Sequence, residues 1–196
     1  MQTKQARLNT LQKSMTKADL LLKKTATHLV FGAVNPEAKI VFVGEAPGKN
    51  EDLKGLPFIG SAGKVLDQLL HSIDLKREDI YITSILKYRP PNNRNPSLAE
   101  IKDHSPFLTD QIRIIAPEVI VPLGNFATRF ILAGFNVEMM NTIPGISNLH
   151  GKTHPINFEG QDFLVIPVYH PAAVLYNPPL RKTLDKDFQM ILKALR

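Results

Sequence analysis

Gly44-Glu45-Ala46-Pro47-Gly48 follows directly on the apolar run Ile40-Val41-Phe42-Val43, and Gly55-Leu56-Pro57-Phe58-Ile59-Gly60 comes shortly after. A buried strand that opens into a glycine-rich loop with a carboxylate, then an aromatic between glycines, makes a site for something flat and anionic. The strand fixes the loop, and glycines let backbone come close to a ligand. Glu45 places charge where burial is costly, and Phe58 offers a ring face for stacking. Far downstream, His170 ends the run Val165–Val168 and precedes Pro171, which biases it to extended backbone. Its ring would point over the edge of a sheet.

A second kind of chemistry is carried by Lys87-Tyr88-Arg89-Pro90-Pro91-Asn92-Asn93-Arg94, a basic loop without an acid. Arg89, Arg94 and Lys87 suit phosphate oxygens, as does the Ser61 hydroxyl at a helix start. Residues 1–28 add six bases (Lys4, Arg7, Lys13, Lys17, Lys23, Lys24) against Asp19 alone, so five of the net +6 charges lie there. Such clusters fit the phosphate backbone of a polyanion, although solvated basic faces are common.

The elements that must position these residues follow from periodicity. Leu8, Leu11, Met15, Ala18 and Leu22 recur at helical spacing, so 1–28 reads as a basic amphipathic helix. Short apolar runs at 39–43, 79–83, 118–122 and 163–168 read as strands. Helical patterns lie near 62–73, 97–115, 124–133 and 179–195, and Ser97 with Glu100 makes a capping box. Residues 134–162 are the least regular stretch, a long connection or small hairpin. Strands alternating with helices imply an α/β chain with a mostly parallel, four-stranded sheet covered on both faces. Ligands bind such sheets at the carboxyl ends of the strands, which is where the loops bearing Glu45, Phe58, Arg89 and His170 fall.

With 196 residues the chain fits one domain, 1–196, long enough to bury about 70% of its unfolded surface. No run approaches about 18 apolar residues and the N-terminus is polar, so neither a membrane span nor a secretory leader is expected. A cytoplasmic monomer is the expectation. Zero cysteines exclude disulfides and thiolate-held metals or clusters.

Taken in order, Gly-Glu-Ala-Pro-Gly at 44–48, Glu51-Asp52, Gly-x-Pro-Phe-x-Gly at 55–60, Lys-x-Arg-Pro-Pro-x-Asn-Arg at 87–94 and His-Pro-Ala at 170–172 resemble a family-4 uracil-DNA glycosylase. The resemblance covers about Val30 to the C-terminus. It implies an α/β/α sandwich around a four-stranded parallel sheet. It also implies hydrolysis of the N-glycosidic bond of a flipped-out uracil in DNA, the first step of base excision repair. Under it, Phe58 is the stacking wall, with Gly44, Ala46 and the position of Ser84 shaping the base pocket. The matching histidine, His170, contacts the pyrimidine O2. Glu45 orients water or stabilises the sugar cation; Glu51 is a second candidate carboxylate that could equally cap the next turn. Asn93 matches an asparagine near the site, and Val174 or Leu175 could wedge into the gap left by the flipped nucleotide.

Two departures stand out. The family branch binds an iron–sulfur cluster through four cysteines, whose positions here align with Tyr88, His104 and residues near Lys17 and Leu20. No such cluster can form, so no cofactor is expected; His104 reads as surface or local packing, and apolar packing by the N-terminal helix and Tyr88 would replace the cluster. The family also usually has an asparagine reading the uracil edge where this chain has Ser84, and a hydroxyl cannot present a donor and an acceptor in one plane. That opens a second reading, a glycosylase for hypoxanthine or xanthine. A third is a non-catalytic DNA-binding relative. The glycine-rich loop lacks the Gly-Lys-Ser/Thr of a P-loop and the Gly-x-Gly-x-x-Gly of a dinucleotide fold, which disfavours a nucleotide hydrolase.

Overall fold

The computed structural model describes residues 2–195. Its centre is a sheet of β2 (Ile40–Gly44), β3 (Tyr81–Ser84), β4 (Val119–Pro122) and β6 (Gln161–Val165). Residues of β2, β3 and β4 are buried throughout, as continuous apolar runs in a doubly covered parallel sheet should be. β2 pairs in parallel with β3 and β4, and β4 in parallel with β6. Two antiparallel edge strands raise the expected four strands to six: β1 (Ala33–Val34) beside β3, and β5 (His154–Phe158) beside β6. Both were hard to anticipate, since β1 has two residues and β5 carries Pro155 inside the stretch left open above.

Alternation along the strands divides the core between the two faces. Val41, Val43 and Ile120 pack with Leu8, Met15, Ile101, Leu108, Ile112 and Phe130, from helices α1 (Lys4–Lys17), α4 (Leu98–Ile115) and α5 (Asn125–Leu132). Ile40, Phe42 and Val121 pack on the opposite face with Leu66, Leu69, Leu184 and Phe188, from α3 (Ser61–His71) and α8 (Leu180–Ala194). Shorter helices are α2 (Lys49–Lys54), α6 (Ile146–Leu149) and α7 (Ala173–Tyr176). The α/β/α layering is the one expected.

Local signals account for the element ends. Ser97 Oγ accepts from Glu100 N at 3.2 Å while the Glu100 carboxylate accepts from Ser97 N at 2.8 Å, completing the capping box at the start of α4. The N-terminal helix is shorter than the expected 1–28, ending at Lys17. Tertiary bonds compete with the helical ladder beyond that point: Leu21 N–H donates to Asp103, Leu20 is buried, and Leu22 turns the chain at φ 68°. Among the described residues no helix is long and apolar enough to cross a membrane.

Candidate active site

The loops after β2, β3 and β6 converge at the carboxyl edge of the sheet around a cavity of about 320 Å³. The first supplies Glu45, Ala46, Glu51 and Phe58, the second Ser84, Asn93 and Arg94, and the third His170. This volume is at the small end for ligand sites and suits a single flat heterocycle.

Phe58 is held in an unusual way. Its backbone is left-handed at φ 51°, a conformation that costs a non-glycine residue about 1–2 kcal/mol. Three contacts hold it there. Glu51 Oε1 accepts from Ile59 N at 3.0 Å and from Gly60 N at 2.8 Å, tying the loop to α2. Arg77, itself paired with Asp67, donates to the Phe58 carbonyl. Gly63 in the first turn of α3 lies so close that a β-carbon there would sit 1.9 Å from the Phe58 oxygen. At the sheet edge Gly44 leaves room for the ring, since a β-carbon would lie 2.8 Å from it and 3.1 Å from Ser84 Oγ. Of the two readings for Glu51, the hydrogen bonds favour the capping one, although the residue also borders the cavity.

His170 stands beside Phe58, with ring centroids 5.7 Å apart and planes tilted by 32°. Its Nδ1 accepts a hydrogen bond from Ala172 N at 3.2 Å, so the neutral ring carries its proton on Nε2. Burial drives the pKa of this imidazole down to about 4, against a weaker upward pull from Glu51. At neutral pH the ring is an uncharged N–H donor. Unfolded, it would bind a proton below about 6.5; folded, it does so only near 4, so it withdraws stability as pH falls between those values. Nitrogen-15 shifts of the His170 ring should therefore titrate with a midpoint near pH 4 and report the Nε2–H tautomer at pH 7. A midpoint near 6.5 would show the ring to be solvated.

Glu45 leaves β2 at the cavity wall, its carbonyl accepting from Leu86 N at 3.0 Å. Burial raises the pKa of its carboxyl, strengthening it as a proton acceptor. Ser84, at the end of β3, is buried and borders the same space. Glu45, Phe58, Ser84 and His170 thus meet in one cavity, as do Ala46, Asn93 and Arg94.

The proposed phosphate contacts divide. Ser61 opens α3 as an exposed residue next to Ala62 of the cavity wall. Arg89 donates to Asn93 Oδ1 at 2.7 Å across a tight turn in which Asn92 and Asn93 both have positive φ. Arg94 forks onto Glu100, holding that carboxyl down at about 2, and remains half exposed. Lys87 is a correction. It is completely buried, its Nζ donating to Thr83 Oγ1 and Gln111 Oε1, and burial depresses its pKa far below that of a free amine. No phosphate can reach it. The two wedge candidates also separate: Val174 packs against the core, whereas Leu175 is exposed. Sequence reasoning passed over Tyr176, the next residue, which is 88% exposed.

The sequence of residues 31–196 matches the uracil DNA glycosylase superfamily. The chain belongs to that superfamily. Among its relatives within the superfamily, a protein of Archaeoglobus fulgidus named type-4 uracil-DNA glycosylase is 50% identical over 170 residues, 87% of this chain and 83% of the relative. Proteins of the same name from Saccharolobus solfataricus and Thermotoga maritima are 46% and 41% identical, covering 89% and 83% of this chain and 79% and 81% of their own lengths.

The positions that align with the cluster cysteines of the family-4 branch do not fit an iron–sulfur cluster here. His104 is fully buried rather than on the surface, and both ring nitrogens are engaged. Its Nδ1 accepts from Lys87 N at 3.0 Å, which leaves Nε2 to donate to the Leu21 carbonyl at 3.0 Å. Burial lowers its pKa, keeping it neutral. Tyr88 packs edge-on against this ring at 6.0 Å, and Leu20 is buried in the same core. One imidazole thus joins the N-terminal segment, the loop after β3 and α4, alongside apolar packing from Leu20 and Tyr88. The chain has no cysteine, and no cluster of His, Asp or Glu among the described residues could hold a metal ion.

Proposed function

We propose that this chain is a monofunctional uracil-DNA glycosylase of base excision repair, working as a monomer without metal or nucleotide cofactor. What supports the reading is the type-4 glycosylase name of relatives up to 50% identical over most of the chain. The observation that carries it is the neutral Nε2–H donor of His170 beside Phe58 in a cavity of nucleobase size.

The target nucleotide leaves the stack, at a cost of a few kcal/mol, and its base slides against Phe58. As the C1′–N1 bond breaks, its electron pair passes to the pyrimidine and develops as negative charge at O2. His170 Nε2–H donates to that oxygen without changing charge itself. Glu45 lies beneath the sugar, where its carboxylate offsets the positive charge on C1′ and takes the proton of the water that attacks there. Gly44, Ala46 and Ser84 border the base edge. Arg89, Arg94 and Ser61 grip phosphates, with Asn93 setting the Arg89 fork, and Leu175 fills the vacated stack. The full chain incubated with uracil oligonucleotides, followed by alkaline cleavage at abasic sites, tests this directly. Intact strands after prolonged incubation would refute it.

Ser84 supports a second reading, a pocket that accepts hypoxanthine or xanthine. A serine in place of an edge-reading amide leaves uracil's donor–acceptor pair incompletely matched. The Ser84→Asn change should raise uracil excision about tenfold, the value of roughly one added hydrogen bond, and leave hypoxanthine excision unimproved. Equal gains on both bases would rule out a role for this position in base choice.

A further inference from the structure

Among the described residues the most exposed large hydrophobic side chain is Tyr176, at 88%, well above Leu53 at 52% and Leu56 at 49%. An aromatic ring held almost wholly in water buries nothing of its own domain and gains only from contact with a second molecule. Its location is specific. It ends α7, the short helix that begins three residues after His170 and follows Ala172 of the cavity wall. The helix is anchored by Val174, which packs into the core, and closed by Asn177 N–H donating to the Ala173 carbonyl at 2.9 Å. Pro178 and Pro179 follow, and α8 begins at once with Leu180. The tyrosine is therefore a projecting ring on a stiff mount, at low entropic cost for stacking.

We propose that Tyr176 is a second stacking platform, binding the face of an intact nucleobase that flanks the extruded nucleotide. This rests on the glycosylase reading above. The four residues of α7 span about 6 Å, and successive bases of one strand lie about 3.4 Å apart. A ring at the far end of α7 is thus placed for a base one or two positions from the target rather than for the target itself. Leu175, beside it, fills the gap, while Tyr176 holds the neighbour that borders the gap. The contact is indifferent to base identity, because every base presents a π-face.

The test uses the full-length protein and single-stranded oligonucleotides with one uracil. Y176A should raise KM about 5- to 150-fold, the range of one base–aromatic stack, with kcat within about twofold of the parent protein. Y176F should restore the KM. Replacing one flanking nucleotide at a time by an abasic residue should identify a position where the parent falls to the level of Y176A and the variant falls no further. The chain has no tryptophan, so Y176W supplies a lone indole whose emission should quench when a DNA strand binds. A Y176A protein with unchanged KM, or losses that simply multiply with an abasic residue at every flanking position, would overturn the proposal. A parent protein that fails to excise uracil would instead overturn the reading on which it rests.

Discussion

His170→Ala is expected to lower the kcat for uracil excision by about 10²- to 10³-fold while DNA affinity at a fixed salt concentration changes by less than about threefold. The reasoning starts from the proton. Because Ala172 N–H occupies Nδ1, the ring can present only Nε2–H to the cavity, and burial keeps it from acquiring charge above about pH 4. A donor of that kind gains strength as the departing base becomes anionic, so its contribution falls on the transition state and not on the ground state. Single-turnover excision and a filter-binding titration on the same oligonucleotide separate the two quantities. A loss confined to affinity would show that His170 only positions DNA.

The second large effect is structural. Gly63→Ala should destabilise the protein by about 3–5 kcal/mol and depress excision even where the variant stays folded. A β-carbon at this position would sit 1.9 Å from the Phe58 oxygen and 2.3 Å from its carbonyl carbon, both backbone atoms with no rotamer to escape into. Relief requires α3 and the Phe58 loop to part. That would break the Arg77 contact to the Phe58 carbonyl and disturb the Glu51 bonds to Ile59 and Gly60. Phe58 would then leave the face of His170. Urea unfolding gives the stability change, and excision at low temperature gives the second effect. A variant within about 1 kcal/mol of the parent would mean the loop yields freely, and the left-handed Phe58 is not held by this contact.

Much of this arrangement is legible in the amino-acid sequence itself. β2 and β4 stand out as short apolar runs rich in Val and Ile, and chemistry-bearing residues follow the strand ends, so the sheet edge gathers them. Ser97 and Glu100 marked the start of α4 because that motif acts within one turn. Long-range choices were less visible. Lys87 reads as a surface cation by residue type, yet it follows Ser84-Ile85-Leu86 in a buried run and turns inward to Gln111 of α4. The N-terminal helix stops at Lys17 because Asp103 and His104 take the backbone of Leu21, partners more than 80 residues away. Glu51 shows the same limit: a carboxylate beside a glycine loop suits catalysis and capping alike, and only the Ile59 and Gly60 amides favour the second. Tyr176 escaped notice since nothing in the pattern Val174-Leu175-Tyr176 tells which side chain the core will leave outside.

The inward turn of Lys87 has a practical corollary. An amine-modifying reagent that marks surface lysines within minutes has no path to this one until Thr83, Gln111 and their surroundings separate. Its rate of acquiring a label therefore clocks the breathing of the segment that bears Arg89, Asn93 and Arg94, and binding of a DNA strand should slow that clock.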